Sequence, residues 1–143
     1  PFFFFFEWHT QPINAWWQWL GLAIWLEGFG FEVIADWQLA RFIKRKKAGI
    51  EKAEILQTGV WAWSRHPNYW GEVELWWGMA LITLVPGAPW TWLGFLAPAF
   101  ITFSILKISG IPMLEKQWEG NKAYEEYKQR VNAFVPWFPR KKQ

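Results

Sequence analysis

The chain contains no cysteine among its 143 residues. Disulfide bonds, a thiolate nucleophile and cysteine-ligated metal centres are therefore excluded. Histidine is almost as scarce, because only His9 and His66 are present and no short metal-binding spacing joins them to other ligands. A zinc or di-iron site would depend mainly on carboxylates, and we predict no metal site.

Charged residues are absent from positions 75–106. The stretch is interrupted by Pro86-Gly87-Ala88-Pro89, which a helix cannot cross. It therefore predicts a hairpin of two membrane-spanning helices at about residues 69–85 and 90–108, with an earlier span at about residues 15–42. The alternative, a buried hairpin in a soluble protein, would have to cover 15 Trp and 13 Phe side chains. We expect an all-α, multi-span helical integral membrane protein with about three transmembrane helices in this chain, embedded in a lipid bilayer.

Lysine and arginine are missing from residues 1–14 and from the loop at 86–89. Cations are instead found after the first span and at the end of the chain, and by the positive-inside rule these two segments lie in the cytoplasm. Three spans would put the two segments on the same side of the membrane. We therefore predict an integral membrane protein, of the bacterial inner membrane, with a cytoplasmic basic loop and C-terminus. The basic residues show no pattern that indicates nucleic acid. They are Arg41, Lys44, Arg45, Lys46, Lys47 and Lys52 after the first span, and Arg140, Lys141 and Lys142 at the end of the chain.

Beyond the third span, apolar residues recur among Glu and Lys, as is typical of an amphipathic cytoplasmic segment broken near Gly120-Asn121. Such a segment either lies on the membrane surface or closes a ligand pocket, with Tyr124 or Tyr127 stacking on a flat ring. Its apolar positions are Leu114, Trp118, Tyr124, Tyr127 and Val131.

Carboxylates on the first span are candidates for function. Glu32 and Asp36 lie one helical turn apart and share a face, and carboxylates in a span must face a protein interior or a polar cavity. For Asp36, an alternative is a solvated position paired with Arg41 or Lys44.

Polar side chains are concentrated at residues 63–72, just before the second span. Arg65 is suited to clamp a phosphate or carboxylate, while His66 and Asn68 offer directional hydrogen bonds, and Glu72 is an acceptor for a ligand amide. Each residue also has a structural interpretation: a topology cation for Arg65, a helix N-cap for Asn68, and an acid favoured by a helix N-terminus for Glu72.

Six motifs in order make residues 20–139 resemble the steroid 5-alpha-reductase-like C-terminal domain, in particular the bacterial membrane proteins that carry it. The motifs are Gly-Phe-Gly-Phe-Glu-Val-Ile-Ala-Asp-Trp-Gln-Leu-Ala-Arg-Phe at 28–42, Thr-Gly-Val-Trp at 58–61, Ser-Arg-His-Pro-Asn-Tyr-Trp-Gly-Glu at 64–72, Trp-Trp-Gly at 76–78, Ser-Gly-Ile-Pro-Met-Leu-Glu-Lys at 109–116, and Tyr-x-x-Tyr-x-x-Arg-x-x-Ala-Phe-x-Pro at 124–136.

The resemblance implies a membrane reductase that transfers hydride from NADPH to an activated carbon-carbon double bond of a steroid-like or other lipid substrate. By position, Arg41 or Lys44 would supply a basic residue, Arg65 and His66 belong to an arginine-histidine-proline motif shared with sterol reductases, and Glu115 is a weak match because its spacing to Tyr127 differs. Tyr124 is a further cofactor candidate in the C-terminal segment. The positions that match family cofactor contacts are Asp36, Trp61, Asn68, Tyr69, Glu72 and Tyr127.

The family takes its substrate-polarising and proton-donating groups from upstream spans. We therefore expect residues 1–143 to be a single membrane domain, the C-terminal cofactor-binding half of a six- or seven-span bundle, with Pro1 to Phe6 as the end of a preceding span.

Two other functional classes stay open. Isoprenylcysteine and phospholipid methyltransferases share the Arg-His-Pro-x-Tyr-x-Gly core and bind S-adenosylmethionine, but they usually have an apolar residue at the position of Glu72. A non-catalytic membrane module is the third hypothesis, favoured by the excess of Trp and the missing upstream half.

Overall fold

Residues 15–140 are described in the computed structural model, and their regular structure is helical apart from one β-bridge between Ser64 and Asn132. The predicted all-α fold class is confirmed. The α-helices are α1 (Trp16–Lys47), α2 (Pro67–Ile82), α3 (Leu96–Phe103), α4 (Ile111–Lys116) and α5 (Lys122–Arg130), with 3₁₀ helices at Gly59–Ala62 and Pro89–Phe95 and a π-helix at Ser104–Ile108.

Helices α1 and α2 pack antiparallel along a seam of glycines spaced seven residues apart. A Cβ atom on Gly21 would lie 2.8 Å from the Gly78 carbonyl oxygen, and one on Gly28 would lie 2.6 Å from the Gly71 carbonyl oxygen. Ala35 continues the seam and is fully buried. A seven-residue repeat keeps the same side of a helix on its partner, and the missing side chains let the two backbones touch.

Side chains from the start of α1 bind the carbonyl groups at the end of α2. Trp17 Nε1 donates to the Leu84 carbonyl oxygen at 3.3 Å, and Gln18 Nε2 donates to the Ile82 carbonyl oxygen at 3.2 Å. The last carbonyl groups of a helix have no partner within it, so these bonds fix how far α2 extends along α1.

The predicted break at 86–89 is confirmed, since α2 ends at Ile82 and the next helical run begins at Pro89. Within residues 15–140, one segment, Trp90–Lys116, is long and apolar enough to cross a membrane. Helix α1 carries three acids, and the 16 residues of α2 extend over roughly 24 Å at 1.5 Å each. The prediction of three spans therefore stays a prediction for α1 and α2.

The C-terminal segment is broken where the sequence indicated, at Gly120, which has a φ of +82°. Helix α4 packs through Ile111 against Val73 of α2 and Ile105 of the π-helix, and α5 buries the rings of Tyr124 and Tyr127. The expected end of a preceding span at Pro1 to Phe6, together with His9, Lys141 and Lys142, lies outside the described residues.

Candidate functional site

The last residues of the chain run beside the start of α2 as a C-terminal strap, residues 131–140. The Ser64 hydroxyl donates to the Phe134 carbonyl oxygen at 2.7 Å, and the Arg65 backbone N–H donates to the Asn132 carbonyl oxygen at 2.9 Å. Ser64 is completely buried. Two segments almost 70 residues apart in sequence are thus joined, and the strap fixes the backbone that leads into α2.

The Arg65 guanidinium group is buried and is bonded to a carboxylate and to backbone carbonyl groups of the same chain. Its Nε and Nη2 lie 2.9 and 2.7 Å from Glu115 Oε1, and Nη1 donates to the carbonyl oxygens of Val131, at 2.6 Å, and Lys128, at 3.3 Å. The Arg65 side chain is 9% exposed. Since a buried cation needs such partners, this geometry favours a structural ion pair over the predicted phosphate clamp.

The His66 ring belongs to the same buried cluster. Its Nε2 lies 3.3 Å from Glu115 Oε1, and the ring stacks on Tyr69 with centroids 5.7 Å apart. Burial lowers the pKa of His66 and the Arg65 charge lowers it further, while Glu115 acts in the opposite direction. The ring is therefore neutral at pH 7, and its Nε2–H donates to the carboxylate.

The two tyrosines of α5 lie under this cluster. The Tyr127 hydroxyl donates to the carbonyl oxygens of Trp61 and Ser64. Trp118 stacks on the Tyr124 ring with centroids 5.4 Å apart. Burial raises the pKa of Tyr124 to about 12 and raises that of Tyr127 as well, so both are neutral donors. Because both rings are buried in the chain itself, stacking on a flat ligand ring would require Trp118 to move.

The 3₁₀ helix before the cluster is tied to α1. Trp61 Nε1 donates to the Ala35 carbonyl oxygen at 3.1 Å, and Gln38 Oε1 accepts from the Val60 backbone N–H at 3.1 Å. Gly59 makes this approach possible, because it has a φ of +65° and a Cβ atom there would lie 2.3 Å from Gln38 Oε1. Sequence reasoning missed Gln38, whose only signal was a polar side chain about one helical turn before the end of the predicted span.

A second group of polar residues, the acidic flank, lies along one side of the α1–α2 pair. Asn68 Nδ2 donates to Asp36 Oδ1 at 3.2 Å, and Glu32 lies within electrostatic reach of Glu72 and Asp36. His66, not Asn68, is the N-cap of α2, so the predicted N-cap interpretation of Asn68 is wrong. We define the acidic flank as Glu32, Asp36, Asn68 and Glu72.

The cations beyond the acidic flank are exposed. The Arg41 guanidinium lies over the Trp37 ring, 5.4 Å from its centroid, and Lys44 faces solvent. Asp36 is bound to Asn68 in the structure, which differs from the alternative that paired it with Arg41 or Lys44.

The structure thus separates the predicted site residues into two sets. The accessible set lies on or next to the acidic flank and offers carboxylate acceptors, one amide and nearby cations. The enclosed set supports the backbone at the start of α2. It includes Ser64, to which sequence reasoning assigned no role, and Glu115, which it ranked as a weak match. The accessible residues are Asp36, Arg41, Asn68, Tyr69 and Glu72; the enclosed ones are Arg65, His66, Tyr124 and Tyr127, together with Trp61, which is partly buried and bonded to α1.

Comparisons with known proteins place the chain in a family. The family described as "Protein of unknown function (DUF1295)" matches residues 2–131. Two curated relatives are named "Steroid 5-alpha-reductase DET2": one from Gossypium hirsutum, 28% identical over 123 residues, and one from Arabidopsis thaliana, 25% identical over 124 residues. Each alignment covers 85% of this chain but 43% and 42% of the two relatives, so the chain spans less than half of their length. No solved structure matches the chain significantly.

The match to the family covers most of the chain, and it includes both the acidic flank and the enclosed cluster. The chain belongs to DUF1295, a steroid 5-alpha-reductase-like family.

Proposed function

We propose that this chain is the cofactor-binding part of a membrane-embedded, NADPH-dependent reductase that acts on a carbon-carbon double bond in a steroid-like or other lipid substrate. The family and the names of the two curated relatives support the reaction class. Substrate-polarising groups would come from spans upstream of this chain.

The proposed membrane arrangement has three spans, formed by α1, α2 and the Trp90–Lys116 segment. Bulky apolar side chains along the last of these face outward, and Leu93, Leu96 and Phe100 are each more than 60% exposed. Such a surface is suited to lipid. By the positive-inside rule, the cations at the end of α1 and at the end of the chain support a cytoplasmic location for these two segments.

The observation that carries the proposal is the pairing of Asn68 and Glu72 on the acidic flank. They lie one turn apart near the start of α2, and both side chains are partly accessible. A carboxamide needs an acceptor for its NH₂ group and a donor for its oxygen. A carboxylate and a side-chain amide supply both, so this part of the flank fits the nicotinamide end of NADPH.

The phosphate end of the cofactor needs cations that are free to bind it. Arg41 and Lys44 are exposed, whereas Arg65 is bound to Glu115 and to backbone carbonyls. We therefore assign phosphate binding to Arg41 and Lys44, and we assign Arg65 a positioning role. When bound, NADPH supplies the hydride. The residues of this chain hold and orient the cofactor on the flank.

The test compares Glu72→Gln with Glu74→Gln in the full-length protein. Glu74 is two residues further along α2, so it points to the other side of the helix, where Glu27 is its acidic neighbour. The assays are NADPH oxidation with an enone steroid and thermal stabilisation by NADPH. Loss of one charge-assisted hydrogen bond at Glu72 should lower turnover by roughly 10- to 100-fold, with a smaller change in NADPH affinity.

The control variant Glu74→Gln should keep near-normal turnover. Equal activity in both variants would contradict the assignment of Glu72. Stabilisation by S-adenosylmethionine but not by NADPH would favour the methyltransferase hypothesis instead, since a ligand that binds the folded state raises its stability.

A further inference from the structure

We propose that the C-terminal strap is an interfacial anchor that binds the surface of an anionic lipid bilayer. The inference rests on the membrane arrangement given under the proposed function. It concerns residues that are not members of the acidic flank, and no step of the reaction is assigned to them.

The strap presents large apolar side chains to the outside. Val135 is 49% exposed, Trp137 is 66% exposed and Phe138 is 78% exposed. Trp63, to which the strap is bonded, is also exposed. Contiguous exposed aromatic side chains of this kind mark an interaction surface.

The exposure does not come from a frayed chain end, because the strap backbone is held in place. The Trp137 N–H donates to the Trp63 carbonyl oxygen at 2.9 Å, and the Arg140 N–H donates to the Arg130 carbonyl oxygen at 2.9 Å. Pro136 and Pro139 each directly precede one of these two donors and restrict the backbone there. The aromatic rings are therefore presented by an ordered segment, and binding would cost little further backbone entropy.

The chemistry of the strap favours a lipid surface as the occupant. Trp and Phe suit the boundary between headgroups and acyl chains. Arg140 is exposed and lies two residues after Phe138, and Lys141 and Lys142 follow it in the sequence. A cluster of cations beside a membrane span attracts anionic headgroups.

The position of the strap in the fold agrees with this. The strap is bonded to Trp63 and Ser64, just before α2 begins, and α1 runs antiparallel to α2, so the basic end of α1 lies at the same end of the pair. That end also carries the cations of residues 41–47. The strap and the basic end of α1 thus lie at the same end of the α1–α2 pair, where a bilayer surface would lie.

The test uses the absence of native cysteine in this chain. Single-cysteine variants of the full-length protein, with any cysteine upstream of residue 1 replaced by serine, are spin-labelled in phosphatidylglycerol vesicles and in phosphatidylcholine vesicles. The accessibility of each label to oxygen and to a water-soluble nickel reagent is then measured. Val135→Cys is the reporter, and it leaves Trp137 and Phe138 in place. Gln129→Cys, on the exposed side of α5, is the aqueous control, and Phe100→Cys is the control for the proposed third span.

We expect the label at 135 to favour oxygen over nickel in phosphatidylglycerol and to become more accessible to nickel in phosphatidylcholine. Adding Trp137→Ala and Phe138→Ala to the reporter should return the label to water in both lipids. The label at 129 should be aqueous throughout, and the label at 100 should lie in lipid throughout.

Three results would overturn the inference. A label at 135 that is aqueous in phosphatidylglycerol while the label at 100 lies in lipid would remove the anchor but leave the membrane arrangement intact. A label at 135 that neither reagent reaches would show that protein covers the strap, and equal insertion into both lipids would remove the role of anionic headgroups. A label at 100 that lies in water would overturn the membrane arrangement, and the anchor with it.

Discussion

Replacing Glu115 with alanine removes the carboxylate that connects α4 to the start of α2. Glu115 Oε1 accepts hydrogen bonds from Nε and Nη2 of Arg65 and lies 3.3 Å from His66 Nε2. The side chains of Arg65 and Glu115 are 9% and 16% exposed. The variant would therefore leave a buried guanidinium group without its anionic partner.

The expected loss of stability follows from this burial. Removing one member of a buried ion pair costs about 3 to 5 kcal/mol. Arg65 Nη1 keeps its bonds to the carbonyl oxygens of Val131 and Lys128, which places the estimate near the lower end, at about 3 kcal/mol. For a protein of this size or larger, about 3 kcal/mol lowers the midpoint of thermal unfolding by roughly 6 to 12 °C.

The assay is thermal unfolding of the purified protein in detergent, with Glu119→Ala as the control. Glu119 is an exposed acid in the turn that follows α4, so its loss should change stability by less than about 0.5 kcal/mol. A second comparison adds Arg65→Met to Glu115→Ala. The double variant should be more stable than the sum of the single effects predicts, because no buried charge is left alone. If Glu115→Ala and Glu119→Ala shift the midpoint equally, the ion pair does not stabilise the fold and the reasoning is refuted.

Two further predictions concern the glycine seam and the buried histidine. Gly28→Ala would place a Cβ atom 2.6 Å from the Gly71 carbonyl oxygen, and we expect it to lower the free energy of unfolding by about 1 to 3 kcal/mol. In the control variant Gly30→Ala the new Cβ atom meets nothing within 4 Å, so the free energy of unfolding should stay unchanged or rise by up to about 1 kcal/mol. Equal losses of stability in the two variants would exclude close packing of the seam as the cause. Burial holds the pKa of His66 below its ordinary value of 6.5, so below that pH the unfolded chain binds more protons than the folded chain and stability falls as the pH falls. Compared with the unsubstituted protein, His66→Gln should reduce this fall in the unfolding midpoint between about pH 7 and pH 5; the same pH dependence in the two proteins would contradict the assignment.

Local signals made most of the helical structure predictable. The proline pair at 86–89 ended α2 where a helix cannot continue, and Gly120, in the left-handed region, separates α4 from α5. The first helix runs on past its predicted end to Lys47, because the basic residues that mark the membrane edge also stabilise a helix C-terminus.

The contacts that divide the predicted site residues into an accessible and an enclosed set could not be predicted from the sequence. A single sequence shows that Arg65 is a cation beside an apolar span, but it does not show that Glu115, 50 residues away, is its partner. The same holds for Ser64, whose hydroxyl reaches Phe134 in the strap, 70 residues away. Hydrogen bonds over such separations depend on how the helices pack, and a local pattern cannot reveal them.

The start of α2 explains why the most buried polar residues lie beside the acidic flank and not in it. His66 caps α2 without a side-chain hydrogen bond to the helix. Its backbone N–H instead donates to the Ser64 hydroxyl oxygen at 3.1 Å, and that hydroxyl donates to the strap at Phe134. Asn68 follows two residues later and holds Asp36 on the other helix. The bonds of Ser64 to the His66 N–H and to the strap therefore fix the backbone from which α2 begins, and Asn68 is carried on the first turn of that helix.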